Sequence, residues 1–232
     1  MREVRGDIFS KFAETGVQRK LSEVKLLFPC VPTKALAVGL NYKSHIGNQK
    51  APTKPEMFFK ALTSLADPEA NIVIPEGAAN VHYEGELVIV MGKRAKNVSI
   101  ADAPSYIFGY TAGNDVSERD WQKNDLQWWR AKGADTFGPA GPAIVTALDP
   151  KARLTMRLNG EVKQTQFVSD LLFGPAEIVS FTSRFVTLEP GDVIFTGTPG
   201  ATSAMKPGDI AEVEIDGIGI LRNRVTDYAG KP

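Results

Sequence analysis

Two glutamates inside an apolar segment constrain the fold of this chain more than any other feature. Residues 81–91 are rich in Val, Ile and Leu, which predicts a β-strand. Alternation along a strand places Glu84 and Glu86 on the same face, about 7 Å apart at Cα. Both faces are apolar further along, so we expect a buried strand whose two carboxylates point into the protein. Buried neighbouring carboxylates lose hydration and repel each other, so they stay ionised only beside a cation.

Asp115 adds a third carboxylate, because it follows the next predicted strand, residues 106–114. No cysteine pair or histidine cluster accompanies the three acids. Such a set of oxygen ligands is typical of hard cations, Mg²⁺ or Mn²⁺, with Ca²⁺ as a further candidate. Two other interpretations stay open at this point. A Glu-x-Glu pair on a strand is more commonly a solvated face, and Asp115 has the position of an N-cap for a helix predicted over 116–132.

The composition limits the partners and the compartment. The 232 residues include 27 basic and 27 acidic side chains, and no basic run stands out, which argues against nucleic acid or an anionic membrane as a partner. The single cysteine, Cys30, excludes an internal disulfide and fits a reducing compartment. The chain has no apolar signal segment at its start and no apolar run of 18 residues, so we expect a cytoplasmic protein.

Strand and turn signals dominate the rest of the sequence. Residues 1–30 are interpreted as a small N-terminal extension, and residues 31–232 as the main domain. Further strands are predicted over 35–40, 72–74, 154–158, 192–196, 210–215 and 218–225. Asn159-Gly160 is a strong hairpin signal, while a second helix is predicted over 176–186. We therefore expect an α+β fold that is mostly β, with a mixed sheet and two or three helices.

Two local features refine these predictions. The helix over 116–132 is expected to begin with a capping box formed by Ser117 and Asp120. The polar, proline-containing segment 42–60 is too long for an ordinary connection, and we interpret it as a mobile lid.

Five motifs resemble the fumarylacetoacetate hydrolase family in its small single-domain bacterial form. They are, in the family's order, GLNYKSH, HYEGEL, GNDVSERDWQ, WRAKGADTFGPAGP and GDVIFTGTPG, and they span roughly residues 35–225. The resemblance implies a rolled mixed β-sheet, a Mg²⁺ or Mn²⁺ site, a homodimer and chemistry on β-keto acids.

The resemblance also implies roles for individual residues. The family's positions fall as follows: the metal carboxylates on Glu84, Glu86 and Asp115, the substrate-binding pair on Arg119 and Gln122, the active-site lysine on Lys132, the threonine that holds a substrate carboxylate on Thr198, and the catalytic histidine on His45. Without the motifs, Lys132 would be interpreted as a cation at a helix C-terminus and His45 as a surface histidine.

The implied chemistry is formation of an enolate from a small 2-oxo acid substrate. The first hypothesis is a Mg²⁺-dependent hydrolase that cleaves the C–C bond of acylpyruvate-like β-diketo acids, such as fumarylpyruvate or fumarylacetoacetate. The alternative is an isomerase, tautomerase or decarboxylase of 2-oxo or 2-hydroxy-diene dicarboxylic acids, for example oxaloacetate. A third hypothesis is a metal-bound binding protein without turnover.

One residue separates the first two hypotheses. Hydrolytic members have a glutamate three residues after the motif histidine, whereas this chain has Asn48 there. Asparagine cannot accept a proton, so Asn48 favours the isomerase or decarboxylase, unless Glu56 or Glu69 replaces the missing base. His82, next to the glutamate segment, is interpreted as a packed histidine, with a role behind the metal ligands as the alternative.

Overall fold

Two β-sheets form the body of the protein, and the larger one carries the candidate site. The structure is a computed structural model and describes residues 1–228. Its strands are β1 (Arg2–Gly6), β2 (Phe12–Gln18), β3 (Ala35–Gly39), β4 (Glu56–Lys60), β5 (Leu65–Ala66), β6 (Asn71–Ile74), β7 (Val81–His82), β8 (Gly85–Met91), β9 (Ile107–Asn114), β10 (Ser117–Glu118), β11 (Gly138–Val145), β12 (Arg153–Leu158), β13 (Glu161–Phe167), β14 (Val193–Phe195), β15 (Ile210–Ile215) and β16 (Gly219–Asp227).

The larger sheet is mixed and has seven strands in the order β4-β3-β14-β8-β9-β11-β5. Strand β8 lies in the middle, antiparallel to both β14 and β9, and each of its residues is buried. The predicted burial of the glutamate segment is therefore confirmed. The segment is interrupted, however, because residues 83–84 separate β7 from β8.

The smaller sheet has five strands in the order β13-β12-β15-β16-β6 and packs against one face of the larger sheet. The hairpin between β12 and β13 turns at Asn159 and Gly160, whose φ angles of 55° and 81° are those of the predicted turn. The shared core combines side chains from both sheets: Leu87, Ala112, Leu154, Met156, Val213 and Leu221. The prediction of a mostly β fold with a mixed sheet is confirmed.

The described residues contain four short helices, so the predicted number of two or three is too low. They are α1 (Lys43–Ile46), α2 (Arg119–Asn124), α3 (Trp129–Gly133) and α4 (Pro175–Phe185). Helix α4 confirms the helix predicted over 176–186, and it packs on the larger sheet through Ile178 and Val179. None of the helices in residues 1–228 is both long enough and apolar enough to cross a membrane.

The single helix predicted over 116–132 is wrong. The chain forms β10, then α2, then a break at residues 125–128, then α3. The carboxylate of Asp125 accepts two hydrogen bonds from the Arg130 guanidinium, at 2.5 and 2.7 Å, and this pair holds the break. The predicted capping box is also wrong, since the Ser117 hydroxyl donates to the Asp115 carbonyl, and Glu118 caps α2 by accepting from the Trp121 N–H.

The N-terminal hairpin of β1 and β2 forms a separate two-stranded sheet. Every residue of both strands is exposed. The chain between its strands contacts the main body through Phe9, whose ring packs edge-on against Phe108 at 4.9 Å between centroids. The division of the chain at residue 30 stays a prediction.

The carboxylate of Asp192 fastens the beginning of β14 to the beginning of β3. It is fully buried and accepts hydrogen bonds from both the N–H and the hydroxyl of Thr33, from the N–H and ammonium of Lys34, and from the N–H of Glu189. We expect Asp192→Ala to lower the free energy of unfolding by about 3 kcal/mol, because these donors would lose their shared acceptor. Urea unfolding measures the loss.

The matched control is Glu161→Ala, which removes an exposed carboxylate paired with Lys163 at 2.7 Å. This change should alter the free energy of unfolding by less than about 0.5 kcal/mol. Equal losses in the two variants would show that Asp192 does not fasten the sheet.

Candidate metal centre

Three carboxylates converge where two central strands of the larger sheet meet. Glu84 directly precedes β8, Glu86 lies within it, and Asp115 directly follows β9. Antiparallel pairing brings the ends together, since the Asp115 N–H donates to the Glu84 carbonyl at 2.9 Å and the Glu84 N–H donates to the Asn114 side chain at 2.9 Å. One oxygen from each of the three carboxylates lies within 4.8 Å of the others, and all three residues are buried.

Three cations surround two of these carboxylates. The Lys132 ammonium donates to Glu84 at 2.5 Å and to Asp115 at 2.8 Å. The Lys60 ammonium donates to Asp115 at 2.6 Å, and the Arg119 guanidinium donates to Glu84 at 2.5 Å. The formal charges of the three acids and three bases therefore cancel.

The charges act on the acids unequally. Burial by itself would raise the pKa of Glu84, but Lys132 and Arg119 outweigh it and lower the pKa to about 2. Burial raises the pKa of Glu86 well above its usual range, and the nearby charges of Asp115 and Glu84 raise it further. Glu86 accepts one hydrogen bond, from the Gly197 N–H at 2.7 Å, and no salt bridge is found for it within the described residues.

This arrangement fits a divalent cation. All the converging ligand atoms are carboxylate oxygens, which hard cations prefer. Glu86 has no cation in contact, so a bound metal ion would give its carboxylate the direct charge partner that the three bases give to Glu84 and Asp115. Glu84, Glu86 and Asp115 are the residues that could hold it.

Lys60 is a member of the site that the sequence analysis missed. Its side chain is fully buried and its ammonium also donates to the carbonyls of Lys132 and, at 3.1 Å, Phe137. Burial lowers the pKa of Lys60, and the charge of Asp115 acts in the opposite direction. The prediction of a mobile lid over segment 42–60 is wrong for its last part, because residues 56–60 form β4, which pairs with β3 and ends at Lys60. A lysine that ends the apolar run Met57–Phe59 was the available signal.

Most of the predicted site residues share one small cavity of about 40 Å³. Its lining includes Glu84, Glu86, Arg119, Gln122, Lys132, Thr198 and His45, together with Trp128. Asp115 lies behind this lining, where it contacts the two lysine ammonium groups. The structure thus brings together residues from β8, α1, α2, α3 and the segment after β14.

Thr198 lines the cavity, but its hydroxyl is already engaged. It donates to the Gly85 carbonyl at 2.9 Å and accepts from the Gln164 amide at 2.9 Å. In this arrangement the side chain secures the turn after β14 to the start of β8. Its predicted role in holding a substrate carboxylate stays a prediction.

His45 lies in α1 with one ring nitrogen engaged. Its Nδ1 is 2.6 Å from the Gly200 carbonyl oxygen, which can only accept, so Nδ1 carries a proton. In the neutral ring Nε2 is then the basic nitrogen. Asn48 is exposed, and Glu56 and Glu69 are also exposed and do not line the cavity.

His82 lies behind Arg119 and has specific polar partners. Its Nδ1 is 2.8 Å from the Thr202 hydroxyl, and its Nε2 is 2.8 Å from the Asn80 side-chain oxygen. Burial lowers the pKa of His82, and the charge of Arg119 lowers it further. The ring therefore has a hydrogen-bonding partner at each nitrogen, which the interpretation as a packed histidine does not include.

Comparison with known proteins places these residues in a family context. The family model for the C-terminal domain of fumarylacetoacetate hydrolase matches residues 34–226. The chain is 46% identical over 211 residues to an uncharacterized protein of Archaeoglobus fulgidus, covering 90% of this chain and 84% of that protein. It is 38% identical over 220 residues to the mitochondrial oxaloacetate tautomerase FAHD2A of Homo sapiens, covering 88% of this chain and 70% of that protein.

Two solved structures share the whole fold. One is a 2-hydroxyhepta-2,4-diene-1,7-dioate isomerase from Mycobacterium marinum, with a TM-score of 0.92, 43% identity and coverage of 99% of this chain and 88% of the other. The second is a 5-carboxymethyl-2-hydroxymuconate delta-isomerase from Mycobacterium smegmatis, with a TM-score of 0.92, 44% identity and coverage of 98% and 90%.

The carboxylate geometry predicts a single metal site. We expect Glu84→Ala, Glu86→Ala and Asp115→Ala each to weaken Mn²⁺ binding by more than about 100-fold, because loss of a ligand should exceed the effect of losing an outer partner. Calorimetric titration with Mn²⁺ measures the affinity, and circular dichroism checks the fold. Glu56→Ala, which removes an exposed carboxylate outside the cavity, is the control; unchanged Mn²⁺ affinity in any of the three variants would remove that residue from the site.

The unequal pairing of the acids predicts opposite effects on stability in the absence of metal. Asp115→Ala leaves Lys60 and Lys132 without their shared carboxylate and should lower the free energy of unfolding by about 3 kcal/mol. Glu86→Gln replaces a buried carboxyl that has no cation in contact by a neutral amide, so stability should stay the same or rise. Urea unfolding in a chelator compares the two, and a larger loss in Glu86→Gln would contradict the charge assignment.

Proposed function

This chain belongs to the fumarylacetoacetate hydrolase family, and we propose that within it the protein is a metal-dependent tautomerase of 2-oxo dicarboxylic acids such as oxaloacetate. The observation that carries this proposal is the surroundings of His45. Its Nδ1 bonds to a backbone carbonyl rather than to a carboxylate, and Asn48 three residues on is exposed. The relatives named as an oxaloacetate tautomerase and as isomerases support the same assignment.

The proposed metal is Mg²⁺, with Mn²⁺ or Ca²⁺ as substitutes, held by Glu84, Glu86 and Asp115. When bound, such an ion supplies Lewis-acid stabilisation of the enolate form of a 2-oxo acid. The rest of the reaction needs one proton to move between carbon 3 and the oxygen on carbon 2. No bond to water forms, so the protein needs a proton carrier and fixed positive charge, and both are present in the cavity.

His45 is the proposed proton carrier. Its Nε2 is the basic nitrogen of the neutral ring, and the side chain lines the cavity. It takes the proton from carbon 3 as the double bond shifts, and the oxygen on carbon 2 is protonated in turn, which balances the reaction. Proton transfer of this kind is typical of histidine near neutral pH.

Lys132 and Arg119 supply the positive charge. Burial by itself would lower the pKa of Lys132, but Asp115 and Glu84 outweigh it and raise the pKa, so the ammonium stays charged. It is placed to stabilise the negative charge that develops on the enolate oxygen. Arg119, oriented by Gln122 at 2.8 Å, is the proposed anchor for a substrate carboxylate.

Hydrolysis requires a general base for water, and these residues do not provide one. Cleavage of an acylpyruvate requires a base that activates water, and such help contributes about 10²–10⁴-fold. Glu69 lies next to Arg222 at 3.5 Å, and Glu56 is exposed on β4, so neither replaces the missing glutamate in this conformation. The C–C hydrolase of the first hypothesis is therefore less well supported than its alternative.

A homodimer is proposed as the assembly. Phe59, Leu126 and Trp129 are 58%, 100% and 72% exposed, which is unusual for side chains of this size and is typical of a covered surface. Light scattering in solution would give the mass, and a monomer at micromolar concentration would contradict the proposal.

The proposed activity is tested with oxaloacetate and Mg²⁺. We expect rapid interconversion of the enol and keto forms, without release of CO₂ or pyruvate. The absorbance of the enol form monitors the reaction. Lys132→Met should lower kcat by about 10²–10³-fold, because the charge next to the enolate is lost. Lys163→Met, a half-buried lysine on β13 that does not line the cavity, is the matched control. Faster release of pyruvate from an acylpyruvate than tautomerisation of oxaloacetate would identify a hydrolase instead.

Residue 48 provides a second test, because it separates hydrolysis from tautomerisation. When segment 42–60 closes so that residue 48 lies beside His45, Asn48→Glu should give the histidine a carboxylate partner and raise acylpyruvate hydrolysis severalfold or more, and it should leave oxaloacetate tautomerisation nearly unchanged. Asn48→Gln, which adds the length without the charge, should change neither rate. Steady-state rates with both substrates make the comparison; a fast wild-type hydrolysis that Asn48→Glu lowers would show that the base lies elsewhere.

A further inference from the structure

A chain of hydrogen bonds leads from the Arg119 guanidinium away from the metal carboxylates. Arg119 Nη2 is 2.8 Å from the Thr202 hydroxyl oxygen, which is 2.8 Å from His82 Nδ1. His82 Nε2 is 2.8 Å from the side-chain oxygen of Asn80, and the amide nitrogen of Asn80 is 3.3 Å from an Asp120 carboxylate oxygen. The chain connects three separate segments of the sequence.

The two ends of this chain fix the direction of every hydrogen bond in it. A guanidinium can only donate and an ionised carboxylate can only accept. The Asn80 amide nitrogen therefore donates to Asp120, and its side-chain oxygen accepts from His82 Nε2–H. In the neutral ring His82 Nδ1 is then an acceptor, so the Thr202 hydroxyl donates to it while accepting from Arg119. Thr202, His82 and Asn80 each accept one hydrogen bond and donate the next one along the chain. Hydrogen bonds aligned in this way strengthen one another.

The backbone holds these partners at fixed distances. The N–H of Arg119 donates to the Asn80 carbonyl at 2.9 Å, and β10, which directly precedes Arg119, pairs with β7 at His82. On the other side of β7, His82 forms a β-bridge with Ala204, two residues beyond Thr202. Thr202 and the start of α2 are therefore both fastened to the same short strand.

We propose that Thr202 is a positioning residue that fixes the Arg119 guanidinium for the substrate carboxylate. Arg119 Nη2 has two hydrogens, and Glu84 and Thr202 accept one each. One hydrogen of Nη1 is donated to Gln122, and within residues 1–228 no acceptor is found for Nε–H or for the second Nη1–H, which remain for a ligand. Without the Thr202 hydroxyl, the guanidinium could rotate without losing a hydrogen bond to residue 202, so its orientation would be less fixed.

The inference rests on the proposed function for the identity of the ligand, a small 2-oxo dicarboxylate, and oxalate is the probe. Thr202→Val keeps the size of the side chain and removes the hydroxyl, whereas Thr202→Ser keeps the hydroxyl. We expect Thr202→Val to weaken oxalate binding in the presence of Mg²⁺, and to raise KM for oxaloacetate, by about 10-fold, which is the range for a hydrogen bond to a charged group.

Three readouts separate positioning from a merely structural role. In Thr202→Val, kcat should stay within about threefold and Mn²⁺ affinity within about twofold of wild type, because neither the proton carrier nor the metal ligands change. Thr202→Ser should restore oxalate affinity. In an Arg119→Met background, Thr202→Val should cause no additional loss, since it acts through Arg119. Thermal unfolding checks that each variant folds, and Thr202→Ala replaces Thr202→Val if the latter does not.

The outcomes distinguish this inference from the proposed function. Unchanged oxalate affinity in Thr202→Val, an equal loss in Thr202→Ser, or a full further loss in the Arg119→Met background would each overturn the positioning role. If the wild type binds oxalate and loses it in Thr202→Val but does not tautomerise oxaloacetate, the proposed function is wrong and the positioning role stands. A wild type that binds neither compound overturns both.

Discussion

The structure depends on a buried cluster of three acids and three bases at the junction of β8 and β9. Removing such charges from water costs several kcal/mol for each ion, so each one needs a partner at close range. Lys60, Lys132 and Arg119 provide partners for Glu84 and Asp115 at 2.5 to 2.8 Å. Because these bases come from β4, α3 and α2, the cluster fixes all three elements around the end of the central strand.

The same cluster explains how the site is suited to its proposed chemistry. Glu86 has no cation in contact, and burial and its acidic neighbours raise its pKa, so a divalent ion bound there would give its carboxylate a direct charge partner. The formal charge would then be positive, which favours a dicarboxylate ligand over a neutral one. His45 and Lys132 line the same cavity. In the proposed reaction His45 would transfer the proton, and Lys132 would stabilise the negative charge that develops on the enolate.

The sequence predicted the parts of the site that depend on local pattern. The apolar pattern predicted the buried strand that carries Glu86 and directly follows Glu84, and the Asn159-Gly160 turn predicted a hairpin. Lys60 was not predicted as a site residue, because the polar, proline-containing part of segment 42–60 predicted a loop and outweighed the short apolar run that the lysine ends. The break at Asp125 depends on a side-chain pair with Arg130, and the contact between Thr202 and Arg119 joins residues 83 positions apart. Contacts of this kind follow from tertiary structure and have no periodic signal.

The central claim is that Glu84, Glu86 and Asp115 together hold one divalent metal ion. Anomalous diffraction from crystals soaked in Mn²⁺ measures this directly, since it locates the metal independently of activity. We predict one strong peak in the cavity, about 2.0–2.6 Å from one oxygen of each of the three carboxylates. A Mn²⁺ peak elsewhere, with none among these carboxylates, would contradict the claim. Lys132 would then still donate to both Glu84 and Asp115.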